Sequence, residues 1–132
     1  AAMSTAIVHA HIHVWSAWVG VFLGMVSGAL MGLLFHDDRW LGGYASWPRR
    51  MLRLGHISFF GIAFLNFAYA NTIALSAAGP LHRWISPMLI AGAVLMPSVC
   101  ALAAWHKPLR HLFPLPVISL GGAVFLLVYE GL

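Results

Sequence analysis

The sequence predicts an all-α integral membrane protein: four transmembrane helices in an up-down-up-down bundle, one domain over residues 1–132. Three observations lead there. The chain is 61% hydrophobic and only 8% charged, with mean hydropathy +0.88, whereas a soluble domain carries about 25% charged residues. Several stretches continue with few or no charges long enough to span a bilayer, for which about 20 apolar residues suffice at 1.5 Å rise each. The links Ala78–Arg83 and His106–His111 are short, and short links make neighbouring helices antiparallel. The expected helices cover about 8–35, 53–78, 84–105 and 112–130.

The first helix opens on His9, His11 and His13, and His36 follows it; no charge falls between Val14 and Phe35. Gly20, Gly24, Gly28 and Gly32 recur every fourth residue, a slowly wrapping seam without side chains. His13, about two turns before Gly20, begins the same seam. Such a seam either packs tightly on another helix or leaves room for a flat cofactor. No basic segment precedes this span and it is too long for the apolar core of a signal peptide, so it reads as a retained helix.

The second span, Leu54–Ala78, contains Asn66 and Asn71. An amide at that depth needs a partner, so both should face the bundle, another subunit, or a cofactor or quinone head group. The third span, Trp84–Trp105, contains Pro87 and Pro97; Pro97 removes a mid-helix hydrogen bond and predicts a kink. The fourth, Leu112–Tyr129, has Pro114 and Pro116 in its first turn, where a missing N–H costs least. Glu130, at its exit, is expected to be solvated. Cys100, the single cysteine, permits no internal disulfide and reads as a small buried hydrophobe.

Between the first two spans, residues 36–53 form the longest link, with turn signals at Gly42, Gly43 and Pro48. Arg39, Arg49, Arg50, Arg53, Lys107 and Arg110 flank one membrane face; Arg83 alone flanks the other. The positive-inside rule then puts residues 36–53 in the cytoplasm and both termini on the periplasmic or outer side of a bacterial-type inner membrane. The basic residues are few and flank apolar spans, so the net charge of +4 does not indicate nucleic-acid binding. Trp15, Trp40, Trp47, Trp84 and Trp105 fall where an interfacial aromatic belt would lie.

Eight histidines among so few polar residues are the chief functional signal. The topology assigns His9, His11, His13 and His82 to the outer face, and His36, His56, His106 and His111 to the inner face. None lies mid-membrane, so no proton wire crosses the centre. A helical bundle can hold b-type haem between two histidines at matched depth. His13 with His82 meets that condition outside, with Arg83 placed for a propionate and Gly20 and Gly24 beside it. His56 with His111, or less easily His106, meets it inside, with Arg53 for a propionate and Phe60, Ala63 and Phe67 as a wall. Bacteriochlorophyll needs one axial histidine, which His13 or His56 could supply. His9 and His11, with His13, are a weaker copper, zinc or nickel set, since no carboxylate or cysteine stands near.

The stretch HAHIHVWSAWVGVFLGMVSGAL resembles the histidine-led, glycine-spaced helices of haem-copper oxidase and nitric-oxide reductase main subunits. It covers about a sixth of the chain, and those subunits have many more helices. The resemblance implies haem and respiratory electron transfer. The sequence has no nucleophile–base–acid set, phosphate loop or carboxylate pair, so a stand-alone enzyme is not expected. The expectation is a small membrane subunit of a respiratory or photosynthetic electron-transfer complex that binds b-type haem or flanks a quinone site, with other membrane subunits and the lipid bilayer as partners. The alternatives are a non-catalytic structural or assembly subunit, or a bacteriochlorophyll- or copper-binding one.

Overall fold

The protein was analysed as a computed structural model, in which residues 2–76 and 78–131 are described, with side chains from Thr5 onward. Among them are four long helices: α1 (Ala2–Leu34), α2 (Trp47–Ser76), α3 (His82–Trp105) and α4 (Pro114–Glu130). Short 3-10 segments, Trp40–Gly42 and Lys107–Leu112, lie in the connections. The described residues contain no strand. Four helical spans are long and apolar enough to cross a membrane: Thr5–Leu34, Trp47–Ser76, His82–Trp105 and Lys107–Glu130, the last joining the second 3-10 segment to α4.

Three helix starts fall earlier than expected. α1 begins at Ala2 and takes the whole HAHIH stretch into the helix. His9 and His13 therefore share a face, and His11 turns outward and is exposed. α3 begins at His82. α2 begins at Trp47 rather than near Arg53. Ser46 accepts the Arg49 backbone N–H at 3.4 Å, which is where a helix N-cap side chain reaches. Pro48 occupies the first turn, where it is tolerated.

Arg49 is only 1% exposed. Its guanidinium donates to the carbonyls of Trp40 (2.7 Å) and Phe35 (3.4 Å) and to that of Asp37. It also lies over the Phe35 ring, 4.8 Å from the centroid. One side chain thus ties the link after α1 to the start of α2. The Trp47 indole N–H donates to the Ala103 carbonyl at 2.7 Å, fixing the same end of α2 to α3. α3 continues unbroken through Pro87 and Pro97. α4 starts at Pro114, as its prolines predict.

Each helix lies chiefly on its neighbour in the chain: α1 on α2, α2 on α3, α3 on α4, with a lighter contact of α1 on α3. The core joins Tyr69 and Ile73 of α2, Ile85 and Leu89 of α3, and Ala123 of α4, with Ala10 of α1 against it. The glycine seam resolves into helix packing. A Cβ on Gly20 would fall 3.1 Å from the Phe59 carbonyl oxygen and 3.2 Å from Ala63 Cβ. One on Gly24 would fall 2.7 Å from the Phe60 ring, and one on Gly28 would fall 2.7 Å from His56 Cε1. At Gly20, Gly24 and Gly28, α2 atoms occupy the space the glycines leave, so α1 and α2 approach closely along this row. At Gly32 a Cβ would meet nothing within 4 Å.

Candidate functional site

Polar side chains from all four helices meet at the end of the bundle opposite Arg39, Arg49, Arg50, Arg53, Lys107 and Arg110. His13, on the inward face of α1, has no solvent exposure, and neither does Asn66 of α2. The Asn66 amide nitrogen donates to the Ile62 carbonyl at 2.9 Å, which turns its oxygen toward His13 Nδ1, 2.6 Å away. Nδ1 must then carry the proton and donate. Nε2 is left as an acceptor and takes the Ser86 hydroxyl at 2.8 Å. Every polar atom of the buried imidazole is satisfied in one neutral tautomer, as a buried polar group requires.

Tyr69 lies one turn beyond Asn66 on the same face of α2. Its ring meets His13 edge-on at 4.7 Å between centroids, and its hydroxyl is hydrogen-bonded to His82 Nδ1. His9, one turn before His13, meets the His82 ring edge-on at 4.5 Å. Among the described residues, the buried ring nitrogens His9 Nδ1 and His82 Nε2 have no hydrogen-bond partner. Glu130, expected to be solvated, instead accepts the Leu81 backbone N–H at 2.8 Å. That N–H belongs to the start of α3, where backbone donors have no intrahelical acceptor and a carboxylate is favoured. Beside these groups is a cleft of about 300 Å³ between the ends of α2 and α4 and the start of α3. Tyr69, Thr72, Ser76, His82 and Glu130 give it polar edges; Ile73, Pro80 and Leu127 give it apolar walls.

At the basic end, the Ser27 hydroxyl donates to the Gly24 carbonyl at 3.0 Å and lies 2.9 Å from His56 Nδ1. The Ser27 proton is already placed, so His56 Nδ1–H is the donor. Arg53 donates to the Tyr44 carbonyl at 3.0 Å and lies over the Tyr44 ring, 4.4 Å from its centroid.

The expected pairs fare differently. His13 and His82 do reach the same end of the bundle, bridged by Tyr69. Both His13 ring nitrogens are engaged, however, and ligation of iron by His13 would require one of those bonds to be given up. His56 packs on α1, against Gly28, whereas His111 is exposed in a segment that lies on α3 and α4. Arg83 is exposed and lies over the Trp84 ring. His36 and His106 are exposed, and helix geometry separates His11 from His9. Among the described residues no group of three His, Cys, Asp or Glu side chains is arranged to hold a metal ion. Asn71 is exposed, its amide donating to the Phe67 carbonyl. Sequence reasoning missed Tyr69, Ser86 and Ser27. The available signal for Tyr69 was its three-residue spacing from Asn66, which places both on one helix face.

No family model, no curated protein and no solved structure matches this chain.

Proposed function

We propose that this chain is a multi-pass subunit of a membrane electron-transfer complex and that the cleft at Tyr69, His82 and Glu130 receives a quinone head group. Broad apolar surface supports the membrane setting: Phe22, Leu33, Phe64, Leu75 and Phe125 are each at least 64% exposed, far beyond what a soluble monomer leaves in contiguous view.

The observation that carries the quinone reading is His82 Nε2, buried and without a partner beside the cleft. An unsatisfied buried nitrogen costs about 1–3 kcal/mol, and a quinone oxygen would supply its partner. Tyr69 makes the pair adaptable. With the phenol donating to Nδ1, His82 keeps Nε2–H and donates to a quinone carbonyl. With Nδ1–H donating to the phenol oxygen, Nε2 is bare and accepts from a hydroquinone O–H. The ring can thus donate a hydrogen bond to the oxidised head group or accept one from the reduced head group without a change in its own charge. A cleft of about 300 Å³ is at the small end of ligand sites and suits one substituted ring, whose isoprenoid tail would lie in lipid.

The experiment is binding of a short-chain benzoquinone to the purified protein. His82→Ala should weaken binding roughly ten-fold, the value of one well-placed hydrogen bond, and Tyr69→Phe several-fold. Unchanged affinity in both variants would remove the site from this cleft. A reduced-minus-oxidised spectrum of the same preparation tests the haem expectation: a b-type α-band lost in His56→Ala or His82→Ala would assign iron, not quinone, to that histidine.

A further inference from the structure

We propose that the groove between α1 and α2 at the basic end binds an anionic phospholipid, with an acyl chain in the groove and the phosphate at Arg53. This rests on the membrane setting argued above and not on the quinone. The groove has a volume of about 260 Å³ and is walled by Met31, Gly32, Phe35 and Ile57, with Arg53 and His56 at its rim. Gly32 creates it. The three preceding glycines of the row are filled by α2, but a Cβ at Gly32 would meet nothing within 4 Å. The chain leaves an apolar slot open where every other position of the seam is closed.

The charge beside the slot selects the occupant. Tyr44 holds the Arg53 guanidinium by one hydrogen bond and by its ring face. Both contacts are neutral and leave the positive charge intact. A guanidinium has five N–H donors in a fork that matches phosphate oxygens. Arg39, Arg50, Lys107 and Arg110 stand exposed at the same end, against Asp37 and Asp38. Basic pockets between helices at a membrane face recognise anionic head groups in this way. Gly32 and Arg53 thus divide the work between chain and head group.

The protein is reconstituted in phosphatidylcholine nanodiscs containing a minor fraction of phosphatidylglycerol, and the lipid retained after mild delipidation is read by native mass spectrometry. The wild type should retain phosphatidylglycerol several-fold over its share of the mixture. Arg53→Gln should lower that preference roughly five-fold, the contribution of one basic residue at an anionic surface. Gly32→Leu fills the slot without touching the chain, so helicity and melting should hold while retention of both lipids falls. Retention in proportion to the mixture, or undiminished retention in a folded Gly32→Leu, overturns the site. So does a dimer of the chain, or a pigment, that is lost in Gly32→Leu, since each names another occupant. A chain that stays monodisperse without detergent overturns the membrane setting too, whereas the preceding outcomes leave that setting standing.

Discussion

His13 Nδ1 lies 2.6 Å from the side-chain oxygen of Asn66, with neither residue exposed. Two helices that otherwise meet mainly through apolar side chains are pinned at this point by a polar bond between residues 53 positions apart in the chain, as Ser27 and His56 pin them toward the other end. The bond fixes the rotation of α1 about its axis, because no other rotation brings His13 to Asn66 and Gly24 to Phe60 together.

Breaking that bond from either side strands the other partner, so the two losses should overlap. Asn66→Leu leaves a buried N–H without an acceptor and should destabilise by ~1–3 kcal/mol. His13→Leu strands both Asn66 and Ser86 and should cost about as much. The double variant should be less destabilised than the sum of the two singles. Thermal unfolding in detergent measures all three; strict additivity would mean that the pair is not coupled.

Filling the glycine row should damage the α1–α2 contact only where α2 occupies it. Gly24→Leu drives a side chain into the Phe60 ring, and overpacking of this kind typically costs ~1–3 kcal/mol. An unchanged melting temperature for Gly24→Leu would place that face of α1 against lipid.

Arg49 should be the most sensitive basic residue. Arg49→Met removes the donor from the carbonyls of Phe35, Asp37 and Trp40 together. Each hydrogen bond to a charged group is worth about 1.5–3 kcal/mol, so a loss of at least ~3 kcal/mol is expected. Arg50→Met, exposed at the next position, should change stability by less than ~0.5 kcal/mol. Comparable melting temperatures for the two variants would contradict the buried clamp.

Orientation is open to labelling. The Lys and Arg asymmetry predicts that residues 36–53 face the cytoplasm. A cysteine introduced at exposed Tyr44 should react with a membrane-impermeant maleimide only in permeabilised cells. The native thiol adds little background, because Cys100 is buried. Labelling of intact cells would invert the topology.

The helical spans were legible because they rest on quantities a sequence states directly, namely length and the absence of charge. The start of α2 was legible in principle: Ser46 before Trp47 and Pro48 is a helix-entry pattern, but Pro48, following Gly42 and Gly43, read as a turn signal of the link. The near-complete burial of Arg49 depends on three carbonyls of a distant turn, and nothing local announces it. The histidines divide in the same way. Their convergence at one end follows from topology. Which of their nitrogens are occupied follows from the register of α1 on α2, which sets His13 opposite Asn66 and His56 opposite Gly28. Glu130 needed knowledge that α4 ends beside the first turn of α3.

The helix order in space has a bearing on biogenesis. Since each helix rests mainly on the one made just before it, its docking surface already exists when it is synthesised. Contacts close in sequence need little loop closure, so the protein can be built up one hairpin at a time. Only the carboxylate of Glu130, reaching back to Leu81, must wait for nearly the whole chain, and it closes the assembly as its last polar bond.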